Sequence, residues 1–453
     1  MAAPGTAIGR PVPLGPSPWA RTRPYAASAA LVGAAGVALG GVLGSVTSPP
    51  PLLIAAGGLG ALAVLAFALA RYEAAVVLGV ALIAVVKVEP APADAILVVA
   101  MLVALVTGRF DLARVPTAMV VLVGALLGLS AISTVEAIDR HRAYAFLAIT
   151  VYLGLFALWL SAYVESTRRA RAVLRAYVFA AVVVGALGTL ALIMPIPGRA
   201  ALLYHGCCRA EGFFKDPNVF GPFLVPAIVL LLEEVLAPRL LPGRRAIKLA
   251  GLAILTVGVL VSYSRAAWLN LAVAVVVLLV AHAMRRGGAR AALDLVLVVA
   301  VLAGAGGAYL VLSGSDGFLR ERAALQGYDT QRFATQRAGL ALAEHHPLGI
   351  GPGQFDIREP ISSHNTYVRV LSEQGVLGFA ALAGLLLGTL ALAARNAAAG
   401  RSTYGIGSAA LLAAWCGLLA NSFFIDTLHW RHLWFVAALI WAGGMLGYPS
   451  RRP

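Results

Sequence analysis

Three arginines and one histidine carry most of the chemical potential of this sequence: Arg209, Arg265, Arg332 and His364. A guanidinium is always charged, and its planar fork matches phosphate oxygens two at a time. An imidazole can take a proton near neutral pH. His364 sits in Ser363-His364-Asn365-Thr366-Tyr367, at the start of an apolar run. On a helix, His364, Tyr367, Leu371, Gly375 and Gly378 would form one stripe, with an imidazole and a phenol above two glycines that let another helix approach. Arg369 and Glu373 have i, i+4 spacing on another face and are expected to pair. Taken alone, His364 reads first as a hydrogen-bonded residue at the membrane interface.

Arg209 opens the segment Arg209 to Asn218, where Asp216 before Pro217 reads as a helix N-cap with proline in the first turn. Three readings of Arg209 are open: a pair with Glu211, a contact to lipid phosphate, or an anion site. Ser264-Arg265 lies in a very short connection between two apolar runs, so Arg265 either snorkels to headgroups or faces a bound anion. Asp329 could cap a helix running through Arg332, Gln336 and Leu340. Arg332 and Arg337 would be about 140° apart on it, a poor arrangement for sharing one ligand.

The elements that must position these residues are membrane spans. The chain has 453 residues, 60% of them hydrophobic and only 12% charged, and its mean hydropathy is +0.87. A soluble protein carries roughly twice that charge. Apolar runs near 26–46, 52–70, 74–88, 95–108, 115–133, 143–164, 172–194, 217–236, 246–263, 266–284, 291–313, 364–394, 406–425 and 432–448 suit spans of about 20 residues. The expected fold is an all-α polytopic membrane protein with about 12–14 transmembrane helices and one long external loop carrying short helices. The third and fourth runs are short enough to form a re-entrant pair instead. Residues 1–25 read as a disordered cytoplasmic arm, and 26–453 as a single transmembrane domain.

The net charge of +15 follows the positive-inside rule rather than any nucleic-acid-binding face. Basic clusters at 168–175, 239–248 and 285–290 fall in short connections on one side. With that side cytoplasmic, both termini are cytoplasmic. The connections 195–216 and 314–363 are then external, and Arg209, Arg265, Arg332 and His364 all lie on the outer face.

No metal set has recognisable spacing: His205, Cys207 and Cys208 are close, as are His345 and His346, and neither group is a ligand pattern. No metal or cofactor is expected. Cys207 and Cys208 are adjacent, which strains a disulfide between them, and no redox motif follows. The first outer connection, near 47–51, is tiny and has no acid, unlike the large acidic loop of lipid-dependent C-type glycosyltransferases.

Over roughly 200–395 the chain resembles the O-antigen ligase and polymerase superfamily of bacterial envelope enzymes. Arg209, Gly212, Pro217 and Asn218 are similar to its Arg…Gly…Pro-Asn element, and Ser264-Arg265 to its Ser-Arg at a helix start. Arg332 through Gly353 resembles its long-loop motif, with Gln336 where the family often has Trp. His364, Asn365, Tyr367, Glu373, Gly375 and Gly378 are similar to its His-Asn signature. The resemblance implies a bacterial plasma-membrane enzyme. It would move a glycan from a polyprenyl (undecaprenyl) diphosphate donor to a lipid or glycan acceptor hydroxyl on the outer face, without metal. It implies that Arg209, Arg265 and Arg332 hold the diphosphate and that His364 acts as general base. Asn365 and Tyr367 would orient His364, with Asn218 beside the substrate; Arg337, an extra charge relative to the family pattern, is a further substrate-binding candidate. Asp426, His429 and His432 are reserve acid–base candidates. A transporter or flippase of envelope precursors, or a non-catalytic assembly scaffold, are the other readings. The concentration of unexpected charge at one surface disfavours transport.

The topology is testable directly. A cysteine introduced at Ser315 should react with an impermeant thiol reagent in intact cells whose outer plasma-membrane face is accessible. Reaction only after lysis would reverse the orientation.

Overall fold

The apolar runs become helices, because in a bilayer only internally bonded backbone can cross the hydrocarbon layer. The computed structural model describes residues 51–88, 90–286, 288–313, 317 and 327–444. The expected arm 1–25, the run 26–46 and the side chains of 318–329 lie outside the described residues. Fifteen helices occur among the described ones: α1 (Pro51–Ala70), α2 (Tyr72–Ala81), α3 (Pro92–Val106), α4 (Thr117–Ser133), α5 (Arg140–Tyr163), α6 (Thr167–Ile193), α7 (Pro217–Leu236), α8 (Arg245–Val261), α9 (Arg265–Arg286), α10 (Gly288–Ser313), α11 (Gly327–His345), α12 (Phe355–Arg358), α13 (Thr366–Ala398), α14 (Ser408–Asn421) and α15 (Arg431–Gly444). Six of them (α4, α5, α6, α7, α9 and α13) are long and apolar enough to cross a membrane. This is an all-α polytopic membrane protein.

Helix α7 is the hub. It is capped as its sequence predicts, with Asp216 Oδ1 accepting from Asn218 N at 2.8 Å. Nearly all of it is buried against α6, α8, α9 and α14. Small residues allow the close approach: a side chain at Gly221 would meet Ser262 and Ala267, and one at Gly258 would meet Leu224 and Gly185.

Polar contacts sort the connections into two ends. At one, Arg168 and Arg169 pair with Glu73, Arg114 with Glu165, and Lys248 with Glu234; Arg285 donates to the Ala397 carbonyl. At the other, Lys87 pairs with Glu211, Arg431 with Asp94, and Arg142 with Asp356. The second set joins only connections of the parity assigned to the outer face. Helix α2 starts beside Arg168 and leads to Lys87 at the opposite end. Helix α3 returns from Asp94 toward Arg109, which lies over Tyr72. The short third and fourth runs therefore traverse the bundle rather than re-entering.

Helix α13 departs from the expected pattern. His364 lies before it with φ +46, and Gly375 interrupts it at φ +71, ψ −176. The continuous stripe from His364 to Gly378 does not exist. The break frees carbonyls that a regular helix would use. Ser372 O accepts from Ile350 N, and Glu373 O accepts from Gly351 N, each at 2.9 Å. A side chain at Gly375 would sit 2.1 Å from Pro347 O, so the glycine admits a loop backbone rather than another helix.

The Arg369–Glu373 pair forms as expected, Nε to Oε1 at 3.1 Å, and it does more than bridge one turn. Glu373 also accepts from Gly353 N at 2.9 Å and Phe355 N at 3.1 Å. Arg369 reaches Asp356 at 2.9 Å and Asp426 at 3.3 Å. Arg142 of α5 closes the clamp on Gly353 O at 2.7 Å and on Asp356 at 3.0 Å.

Glu373→Ala should leave a buried guanidinium and two backbone N–H groups underserved, at a cost of about 3–5 kcal/mol. Limited proteolysis in detergent should then cut within 346–360 far faster, with a lower unfolding temperature. Unchanged cleavage would mean that the clamp does not hold the loop.

Candidate active site

Five of the sequence-predicted residues line one cavity of about 600 Å³: Arg209, Asn218, Arg265, Arg332 and His364. Tyr204, Asp216, Phe333, Gln336, Phe424 and Ile425 complete most of its wall. The cavity opens at the end away from the basic clusters, and its size suits a small-ligand pocket.

Each residue arrives on a different element. Arg209 ends a tight hairpin in which Tyr204 N donates to Arg209 O at 2.9 Å and Leu203 bridges Ala210. Its Nε donates to Ser262 O at 3.0 Å and its Nη2 to Asn218 Oδ1 at 3.1 Å, with the guanidinium 5.7 Å from the Tyr204 ring centre. Glu211, the partner in one of the three open readings of Arg209, turns instead to Lys87. Arg265 begins α9, with only three residues between it and the end of α8, so its guanidinium is confined to this mouth. Arg332 comes from α11. That helix starts at Gly327, so Asp329 falls within the first turn rather than ahead of it as a cap.

His364 is held in the left-handed region, which a non-glycine residue seldom adopts and which tends to occur at functional sites. The backbone on both sides is fixed. Ser363 Oγ donates to Asn365 O at 3.2 Å, and Gln336 Nε2 donates to Ser363 O at 3.3 Å. Gln336 thus links the helix carrying Arg332 to the segment carrying His364. Burial pushes the imidazole pKa below its usual value, and the Arg332 charge pushes it the same way, while Asp216 and Asp356 oppose them. His364 is therefore biased toward the neutral form that can accept a proton.

Three expected residues stand elsewhere. Asn365 is the N-cap of α13, its Oδ1 accepting from Tyr367 N and Val368 N. Tyr367 donates to Leu419 O at 2.9 Å and packs on Phe423. Neither lines the cavity; both fix the helix start next to His364. Arg337 is exposed on α11, outside the cavity, consistent with its angular separation from Arg332. Of the reserve candidates, Asp426 is paired with Arg369. His429 contacts Thr150 at 2.9 Å, and burial holds its pKa down at about 4. His429 and His432 line a separate cavity of about 540 Å³. Tyr204 and Gln336 were not legible as site residues, because only the hairpin and the packing of α11 bring them in. Among the described residues, no group of three His, Cys, Asp or Glu is placed to hold a metal ion.

Residues 250–383 match the family model described as O-Antigen ligase. The matched segment carries Arg265, Arg332 and His364, whereas Arg209 and Asn218 lie ahead of it. No curated protein matches the chain. The family is one of membrane enzymes that join lipid-linked glycans to acceptors.

The lowered pKa predicts a pH profile. If a neutral His364 is needed, single-turnover rates should rise on the acid side with a midpoint below the ordinary histidine value of about 6.5 and then level off. Arg332→Gln removes a neighbouring positive charge, so that midpoint should move upward even as the rate falls. A midpoint that moves down, or stays fixed, would separate Arg332 from His364 electrostatically.

Proposed function

We propose that this protein transfers a glycan from a polyprenyl diphosphate carrier to an acceptor hydroxyl at the outer face of the bacterial plasma membrane, without metal. The observation that carries the reading is the meeting of Arg209, Arg265, Arg332 and His364 in one cavity, from four separated parts of the chain. Cleaving the sugar–diphosphate bond builds negative charge on the leaving oxygen. Guanidinium groups already in place offset that charge without reorganising, which is often the largest single catalytic contribution. In this scheme the acceptor hydroxyl attacks the anomeric carbon as the diphosphate departs toward the arginines, with inversion. His364 takes the hydroxyl proton. Asn218 and Tyr204 hold Arg209 toward the diphosphate. Asp216 offers a carboxylate at the same wall, close enough to influence His364.

The charge distribution supports this orientation: the Arg clusters of the opposite end suit the cytoplasmic side, which favours a cavity on the outside. Lipid-linked substrates would approach along the membrane. Transport is less well supported, because the cavity's charges gather at one mouth rather than at mid-depth.

Arg209 and His364 should fail differently. Arg209→Ala should weaken donor binding and turnover together, by about 2–5 kcal/mol, the cost of removing one partner of a buried charged contact. Arg209→Lys should recover little, since a point charge does not replace a fork. His364→Ala should leave donor affinity nearly intact while slowing transfer about 10²–10⁴-fold. Donor affinity and single-turnover transfer in nanodiscs measure both. Loss of donor binding in a folded His364→Ala protein would move His364 to the phosphate site.

A further inference from the structure

The hairpin that presents Arg209 has two adjacent cysteines at its tip. We propose that Cys207 and Cys208 are a reversible disulfide site, and that its oxidation state governs how firmly Arg209 is held at the cavity. The second half of this inference rests on the diphosphate reading above; the first half does not.

Both cysteines are free and exposed, and the Cys208 thiol meets Cys207 Sγ at 2.6 Å. That hydrogen bond, with some burial, holds the Cys208 thiol above its ordinary pKa. The tip is conformationally demanding: φ is +50 at His205, +77 at Gly206 and +67 at Cys208. Left-handed backbone is costly for residues other than glycine, so this tip needs local bonds to persist. It has few: Gly206 N to Leu203 O, Cys207 N to Tyr204 O and Arg209 N to Cys207 O. The last of these ties a cysteine carbonyl directly to Arg209. Tyr204 and Arg209, at the two feet of the tip, both line the cavity.

By loop parity the tip belongs to the outer face, where disulfides form and persist. The chemistry balances as thiol–disulfide exchange with a disulfide-bearing oxidant. Cys207 Sγ, as thiolate, attacks one oxidant sulfur and expels the other as a thiol. Cys208 then loses its proton and attacks Cys207 Sγ, releasing the second thiol. The protein loses two electrons and two protons, and the oxidant gains them. A bond between adjacent residues is strained and is therefore readily reversed by a dithiol. Closing it removes alternative conformations of the tip and pre-organises Arg209, which raises affinity without adding a contact.

The test uses the full chain in nanodiscs, equilibrated with excess oxidised glutathione or with reduced dithiothreitol. Alkylation and peptide mass analysis read the 207–208 pair, and farnesyl diphosphate serves as the anionic probe. After oxidation the pair should resist alkylation and be two hydrogens lighter, and a dithiol should reverse this. The oxidised protein should bind farnesyl diphosphate several-fold more tightly than the reduced one. Cys207→Ser with Cys208→Ser should show the reduced affinity under both conditions. Free alkylation of both cysteines after oxidation would overturn the modification site. A disulfide that forms without changing affinity would overturn its link to Arg209. A disulfide that forms in a protein with no affinity for farnesyl diphosphate in either state would overturn the diphosphate reading and leave the modification site standing.

Discussion

The arrangement of the candidate site depends on one break in a helix. Gly375 leaves helical geometry in the first third of α13, and the backbone of 347–351 enters the gap. Unpaired backbone groups are costly in an apolar interior. Here the carbonyls exposed by the break are met by Ile350 N and Gly351 N, and the turn that follows is gripped by Glu373. The long connection is thereby fastened to the same helix whose first residues follow His364. Helix α11, which carries Arg332 and Gln336, leads directly into that connection. The Gly375 junction and the Gln336–Ser363 hydrogen bond thus both tie the helix carrying Arg332 to the segment carrying His364.

A second constraint is the sorting of charge by depth. Arg369 is buried, yet Glu373, Asp356 and Asp426 surround it. Compensated in this way, it serves as a structural cation. The cavity wall is arranged differently. Three guanidinium groups converge there with Asp216 as the carboxylate among the lining residues, and the nearby imidazole is biased to its neutral form. Such an arrangement favours an anionic ligand together with a proton acceptor. The same residue type thus does two jobs, distinguished by the acids packed around it.

Much of the scaffold was readable from sequence because it follows local rules. The Asp216 cap, the Arg369–Glu373 pair and nearly every helix boundary depend on residues a few positions apart. Loop parity alone brought Arg209, Arg265, Arg332 and His364 to one end. What was not legible depends on distant partners. Gly375 looked like a helix-packing glycine, and its opening to a loop was invisible without Pro347. Asn365 and Tyr367 stand beside His364 in sequence, yet their polar atoms serve the start of α13 and the carbonyl of Leu419. Arg209 had an acid two residues away, but the hairpin sends Glu211 to Lys87 and Arg209 to Ser262 and Asn218.

The central claim is that one cavity receives the diphosphate of a lipid-linked glycan with its reacting sugar toward His364. The most direct measurement is a cryo-EM structure of the His364→Ala protein in nanodiscs with a short-chain polyprenyl diphosphate glycan. The account predicts diphosphate density between Arg209, Arg265 and Arg332, with the anomeric carbon facing the space vacated by the imidazole. Diphosphate bound at the basic end of the bundle, or in the cavity beside His429 and His432, would contradict it.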